Sequence, residues 1–309
     1  MQPADEPSVF DYSTAFQRTL GWVTAEEQQQ LRRARVAIAG LGGVGGAHLL
    51  TLTRLGITRF RIADPDRFEQ NNLNRQVGAT LPALGRTKVE VLAELAREIN
   101  PELEIDLFPA GVNADNLDAF LTDADVYVDG LDFFAFDIRR QTFSRAAALG
   151  VPALTAAPLG MGVALLNFHP ASMPFDAYFD LGDHLDFEEQ ALRFMVGLAP
   201  AGLHMGYLAD AGAVNLGAGR GPSTAMACQL CAGVMGTEVL KVLLGRGPLR
   251  WAPRGTQYDA YRQRLARTWR PGGNRHPWQR LKLHLARRYL ARSRASSFSS
   301  IGDDHAQRP

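Results

Sequence analysis

The sequence predicts an α/β fold: a doubly wound, mostly parallel sheet with a long crossover and short C-terminal strands. Three observations lead there. The apolar run Val36-Ala37-Ile38-Ala39 feeds directly into Gly40-Leu41-Gly42-Gly43-Val44-Gly45 and then into helical periodicity, the strand–turn–helix arrangement that cradles phosphates. Beyond it, β-prone runs alternate with helical stretches at the spacing of parallel strands joined by crossover helices. With 309 residues, 46% of them hydrophobic and 9% aromatic, the chain can bury a substantial core.

The elements follow in order. Thr24 with Glu27 three residues on is a capping-box signature for a helix over 24–34. A first strand is expected at 35–40, a helix at 44–55, and a second strand from Arg59 to Ala63 that ends at Asp64. Val91, Leu92, Leu95 and Ile99 recur at helical spacing over 87–100, and Pro101 stops that helix. Strands are expected at 103–108, 125–129, 151–155 and 162–168, with a helix between 136 and 149. Residues 170–222 carry scattered Pro, Gly, Asp and His with weak periodicity, and read as a long crossover over the sheet edge. A helix rich in Ala and Met follows over 223–244, then short strands near 256–261 and 264–270. The tail helix, Trp278 to Arg292, lines up Trp278, Leu281, Leu285 and Tyr289 along one face and reads as an amphipathic helix docked on the body. Three units result: an arm over 1–34, a nucleotide-binding domain over 35–270 that contains the crossover, and a basic tail over 271–309.

The net charge of +1 conceals an asymmetry. Residues 270–309 hold nine Lys or Arg against two acids, a net of +7, which leaves 24 bases and 30 acids, a net of −6, for residues 1–269. An acidic partner or tRNA is one use for such a tail. No run of eighteen apolar residues appears, so no membrane span is expected, and the acidic stretch from Met1 to Asp11 does not read as a signal peptide. Two cysteines are too few for a disulfide framework, which makes a cytoplasmic protein the expectation.

Four groups of residues carry the chemistry. Gly40, Gly42 and Gly45, with Gly43 between them, fit a phosphate-binding fingerprint, and Asp64 stands 19 residues after Gly45, where a carboxylate accepts from ribose hydroxyls. Those residues alone fit an NAD or FAD enzyme equally well. Asp66, Asn72, Arg75 and Gln76 lie in the polar segment at the carboxyl end of strand two, the edge at which doubly wound sheets bind ligands. Lys88, one of only three lysines, opens the next helix, and Asp132 lies just past the end of the fourth strand. A dinucleotide carries only two bridging phosphates and needs no metal, whereas two cations facing a carboxylate suit a triphosphate with Mg²⁺.

In this order and spacing the residues resemble the ThiF/MoeB/HesA family of adenylyltransferases, bacterial relatives of ubiquitin-activating enzymes, from about Phe16 to Trp269. The resemblance rests on Gly-x-Gly-Gly-x-Gly, Asp64-Pro65-Asp66, Asn72-Leu73-Asn74-Arg75-Gln76, Lys88 and Asp132. It implies a Rossmann-like fold and ATP and Mg²⁺ as cofactors. Asp64 would bind the ribose, Arg75 and Lys88 the phosphates, and Asp132 the metal, with Asp66, Asn72 and Gln76 completing the nucleotide site. It further implies a homodimer in which Arg18 reaches the neighbouring subunit's ATP site. The implied reaction joins a C-terminal carboxylate of a small ubiquitin-like or sulfur-carrier protein, or of a peptide, to AMP.

The chain also departs from the family's pattern. Phe133 and Phe134 follow Asp132 where the family often has Asn, and Asp137 stands where it has Arg, with Arg139 and Arg140 next. One Cys-x-x-Cys pair, Cys228 and Cys231, replaces the usual two, so no structural zinc is expected and both read as small packing residues. The alternatives are a tRNA threonylcarbamoyladenosine dehydratase of the same superfamily, an NAD- or FAD-dependent oxidoreductase, and a non-catalytic binding relative.

Overall fold

The computed structural model describes residues 9–288 except 216, 218 and 220. An N-terminal arm places α1 (Tyr12–Phe16) and α2 (Ala25–Arg33) ahead of the sheet, and Thr24 and Glu27 cap α2 reciprocally, as the sequence implied. Then β1 (Arg35–Ala39), α3 (Gly45–Arg54), β2 (Arg59–Ala63), α4 (Lys88–Ile99), β3 (Glu104–Phe108), α5 (Leu117–Leu121), β4 (Val126–Asp129) and α6 (Phe136–Ala148) lead to the hairpin strands β5 (Ala153–Leu159) and β6 (Gly162–Phe168). After α7 (Phe175–Phe179), α8 (Phe187–Leu198) and α9 (Ala225–Leu244), strands β7 (Arg254–Asp259) and β8 (Arg264–Trp269) close the sheet.

The eight strands lie in the order β3-β2-β1-β4-β5-β6-β7-β8, parallel as far as β5 and antiparallel from β6 onward. The order reverses between β1 and β4, so the crevice beyond their carboxyl ends is the topological switch point, where ligands bind in open α/β sheets. Strand alternation assigns the two faces. Val36 and Ile38 of β1 join the core under α3, α4 and α9, whereas Ala37 and Ala39 face a second core under α5 to α8. The alanines on that second side leave room for large rings. Phe143 and Phe175 lie 4.3 Å apart between centroids, Phe175 and Phe179 4.7 Å, and Phe179 and Phe194 4.8 Å.

Three expectations need correction. Residues 170–222 do form the long crossover, from β6 to α9, but it carries regular structure the sequence did not show: α7 and α8 lie within it and bury Phe175, Phe179 and Phe194 against the sheet. Five residues are too few to show helical periodicity, which hid α7, and Asp186 caps α8 at the Glu189 N–H. Strand β5 continues to Leu159 because it pairs with β6 along its whole length. Helix α9, by length and composition alone sufficient to cross a membrane, is interrupted by Glu238 and Lys241 and packs on β5, β6 and α3. The tail helix, described over 277–288, turns the opposite face inward. Trp278, Leu281 and Leu285 are 63%, 45% and 54% exposed, while Leu283 is 4% exposed and Gln279 donates to the carbonyl of Val196. Arg287 pairs with Glu189 and Lys282 donates to the Pro200 carbonyl, so polar side chains join Leu283 in docking this helix on α8. Tyr289 and Arg292 lie outside the described residues.

Residues 160–161 turn β5 into β6, and a polar latch fastens that turn to the end of the α7–α8 segment. The Tyr207 hydroxyl donates to Asp259 Oδ2 (2.5 Å) and accepts from the Met161 N–H (2.7 Å).

Candidate active site

The glycine turn leaves β1 at Gly40 with φ +81°, which glycine adopts without strain. Its carbonyl lies so close to Gly45 that a Cβ there would overlap it. A Cβ on Gly40 would overlap the Gly130 carbonyl, and one on Gly130 would stand 2.5 Å from the Gly40 oxygen. Gly130 follows β4, so three glycines let the β1 and β4 loops meet backbone to backbone. Gly130 was missed in the sequence; its position between the strand end and Asp132 was the available signal. Past the turn, α3 begins without any side-chain cap, which leaves its first N–H groups and its positive dipole end open to an anion.

Asp64, buried at the end of β2, closes this turn. Its Oδ2 accepts from the Leu41 N–H at 2.6 Å and its Oδ1 from the Asp66 N–H at 2.8 Å. Lys88 Nζ stands 3.7 Å from Asp64 Oδ1 and 2.8 Å from Asp66 Oδ2. Burial pushes the Asp64 carboxyl up from its ordinary value, while the Lys88 charge and the two N–H groups pull it down. Lys88 is itself buried, so its ammonium is held at the turn rather than waving in solvent.

The segment after β2 runs along the other side of the turn. Asn72 and Gln76 are buried, and a Cβ on Gly42 would lie 3.7 Å from Gln76 Nε2. Gln76 Oε1 has no hydrogen-bond partner among the described residues. Arg75 passes its aliphatic stem 3.6 Å from where a Gly43 Cβ would be, and its guanidinium takes the Asn71 carbonyl (2.9 Å) and Asn74 Oδ1 (2.8 Å). Cys228 Sγ would meet a Gly43 Cβ at 2.9 Å. Cys228 and Cys231 are both buried, and burial raises both thiols. No cluster of three metal-ligating side chains occurs among the described residues.

Asp132 is exposed on the β4 side of the crevice, and its Oδ1 accepts from the Phe134 N–H at 2.9 Å. Arg139, to which the sequence reading gave no role, holds this loop. It is buried, its Nε donates to Asp129 Oδ2 at 2.9 Å, and its other nitrogens donate to the carbonyls of Leu131, Asp132 and Phe133. Arg140 is taken by Asp176 and Asp183, and Asp137 is exposed. Gly40, Gly42, Gly43, Gly45, Asp64, Asp66, Asn72, Arg75, Gln76, Lys88 and Asp132 therefore gather at one edge of the sheet. Arg18 does not join them. It is exposed in a segment whose neighbours, Tyr12 and Gln28, bond to Gly56 and Leu55 at the far end of α3, about 15 Å of helix away from the turn.

Known proteins resemble this chain to different extents. A sulfur carrier protein ThiS adenylyltransferase of Escherichia coli is 29% identical over 148 residues, 48% of this chain and 58% of the relative. A tRNA threonylcarbamoyladenosine dehydratase of Haemophilus influenzae is 31% identical over 110 residues, 35% of this chain and 42% of the relative. The chain thus matches about half the length of these curated relatives. The crystal structure of E. coli MccB with ATP superposes with a TM-score of 0.60 at 17% identity, covering 82% of this chain and 69% of that one, so the two share a fold. The family model described as ThiF family matches residues 15–280, and the chain belongs to the ThiF family.

Proposed function

We propose that the protein is an ATP-dependent adenylyltransferase that activates the C-terminal carboxylate of a small carrier protein or a peptide. The observation that carries this reading is the crevice itself. An uncapped helix N-terminus, Arg75 and the buried Lys88 lie on one side, and the exposed carboxylate of Asp132 lies on the other, across the switch point. The names of the ThiS adenylyltransferase and of MccB solved with ATP and with the peptide MccA support it. Residues 35–270 would form the nucleotide-binding unit.

In this reading the glycine turn and the α3 N-terminus hold phosphates, Asp64 orients the ribose, and Gln76 Oε1, buried beside the turn without a partner among the described residues, is an acceptor that a nucleotide donor would satisfy. An acceptor carboxylate oxygen forms a bond to the α-phosphorus as the bond to the bridging oxygen breaks, and pyrophosphate leaves with that electron pair. The nucleophile is already an anion, so no general base is required. Arg75 and Lys88 offset the charge that spreads over the phosphate oxygens. One exposed carboxylate suits Mg²⁺, which keeps several waters and takes most other ligands from phosphates, so Asp132 would hold it. When bound, the ion supplies charge neutralisation at the phosphates. The family's dimer would add Arg18 from the neighbouring subunit.

ATP–pyrophosphate exchange that depends on a peptide or carrier protein with a free C-terminus is the expected result. Exchange abolished by amidating that C-terminus supports the reading. ATP consumption that instead requires tRNA would transfer it to the dehydratase, which the Haemophilus relative keeps open.

A further inference from the structure

We infer that Asn74 is a positioning residue for Arg75, fixing which edge of that guanidinium is offered to the nucleotide's phosphates. The inference rests on the adenylation reading, in which Arg75 offsets phosphate charge, and names the group that aims it. Arg75 donates from Nη1 to two oxygens, the Asn71 carbonyl at 2.9 Å and Asn74 Oδ1 at 2.8 Å. Nη1 carries two hydrogens, so these two acceptors occupy it fully. Nε and Nη2 have no partner among the described residues. Together they form the edge with which a guanidinium grips a phosphate through two parallel bonds.

The two acceptors are held in different ways. The Asn71 carbonyl belongs to a backbone turn closed by Asn72 Oδ1, which accepts from the Glu69 N–H at 3.0 Å. Asn74 is exposed, and its amide would turn freely in water without a second bond. That bond runs from Nδ2 to the Ser223 carbonyl at 3.3 Å, between residues 149 apart in sequence. Ser223 leads into α9, whose start is itself fixed beside the crevice. The Thr224 hydroxyl donates to the Gly160 carbonyl at 3.2 Å, and Cys228 packs against Gly43.

One primary amide thus takes the guanidinium with its oxygen and the backbone ahead of α9 with its nitrogen. The Arg75 stem lies along Gly43, so with Nη1 tied the free edge is kept at the glycine turn instead of sweeping through solvent. An apolar side chain at this position would make neither bond. A carboxylate would hold Arg75 but neutralise the charge that phosphates need, and it could not donate to Ser223.

The test is a double-mutant cycle on the full chain, with ATP and adenosine affinities measured by calorimetry for wild type, Asn74→Ala, Arg75→Ala and the double variant. Asn74→Ala should weaken ATP binding about 3- to 10-fold, the cost of ordering one long side chain, and leave adenosine binding unchanged. Added to Arg75→Ala, it should change ATP affinity by less than about 2-fold, because the residue it aims is gone. A purely structural role would give the same loss in both backgrounds or weaken adenosine as well, and either result would overturn the inference. Unchanged ATP affinity in Asn74→Ala would also overturn it and leave adenylation standing. Failure of the wild-type chain to bind ATP would overturn the adenylation reading and the inference together.

Discussion

Lys88 is held between Asp64 and Asp66 at the mouth of the glycine turn, so its charge is positioned before any nucleotide arrives. Arg75→Ala or Lys88→Met should therefore lower the exchange rate by about 10²–10³-fold, the cost of removing one donor to developing charge. Asp64→Ala should mainly weaken ATP binding, measured by calorimetry, and unchanged affinity would count against its place at the ribose. A different residue governs behaviour in acid. His48 is fully buried in α3, neither nitrogen has a partner, and burial lowers its pKa from 6.5 to about 3. The unfolded chain binds a proton at this position below pH 6.5 and the native chain does not. Stability is therefore highest above pH 6.5, falls as pH drops toward 3, and levels off below it. The loss totals roughly 4–5 kcal/mol. His48→Leu should flatten that slope in denaturation curves taken from pH 8 to pH 4.

The loop after β4 depends on an ion pair from α6. Removing Arg139 would leave Asp129 buried without its cation, so Arg139→Met should destabilise by about 3–5 kcal/mol, and adding Asp129→Leu should recover much of that. Urea unfolding of the single and double variants measures both. The tail helix makes a contrasting case: Leu283→Ala should cost about 2–5 kcal/mol, whereas Leu281→Ala should change stability by roughly 0.5 kcal/mol or less. This contrast also shows what was legible in the sequence. The glycine turn, the α2 capping box, β1, α3 and α4 were readable because short-range chemistry determines them. The inward face of the tail helix was not, because Gln279 and Lys282 dock on carbonyls of residues 196 and 200, partners that no periodicity reveals. Likewise α7 and α8 are held by rings from β6 and α6, far away in sequence. The role of Arg139 was unreadable for the same reason: its carboxylate partner is ten residues away, on a strand end.

Across the whole molecule, the nucleotide residues gather at one edge while Arg18 sits at the opposite end of α3. If two chains build each site, Arg18→Ala and Arg75→Ala variants, each inactive alone, should regain up to about one quarter of wild-type exchange after mixing and subunit exchange, since half the dimers then hold one intact site. No recovery between subunits shown to exchange would mean that Arg18 does not act across the dimer. The seam between the β1 and β4 loops bears on how this chain can vary. Where a bulky side chain causes a clash, a second mutation elsewhere can usually trim the neighbour and restore the fit. At Gly40, Gly45 and Gly130 each neighbour is a peptide group, with nothing to trim. Genetic screens starting from Gly130→Ala should therefore return true revertants to glycine and no second-site suppressors at the other two positions.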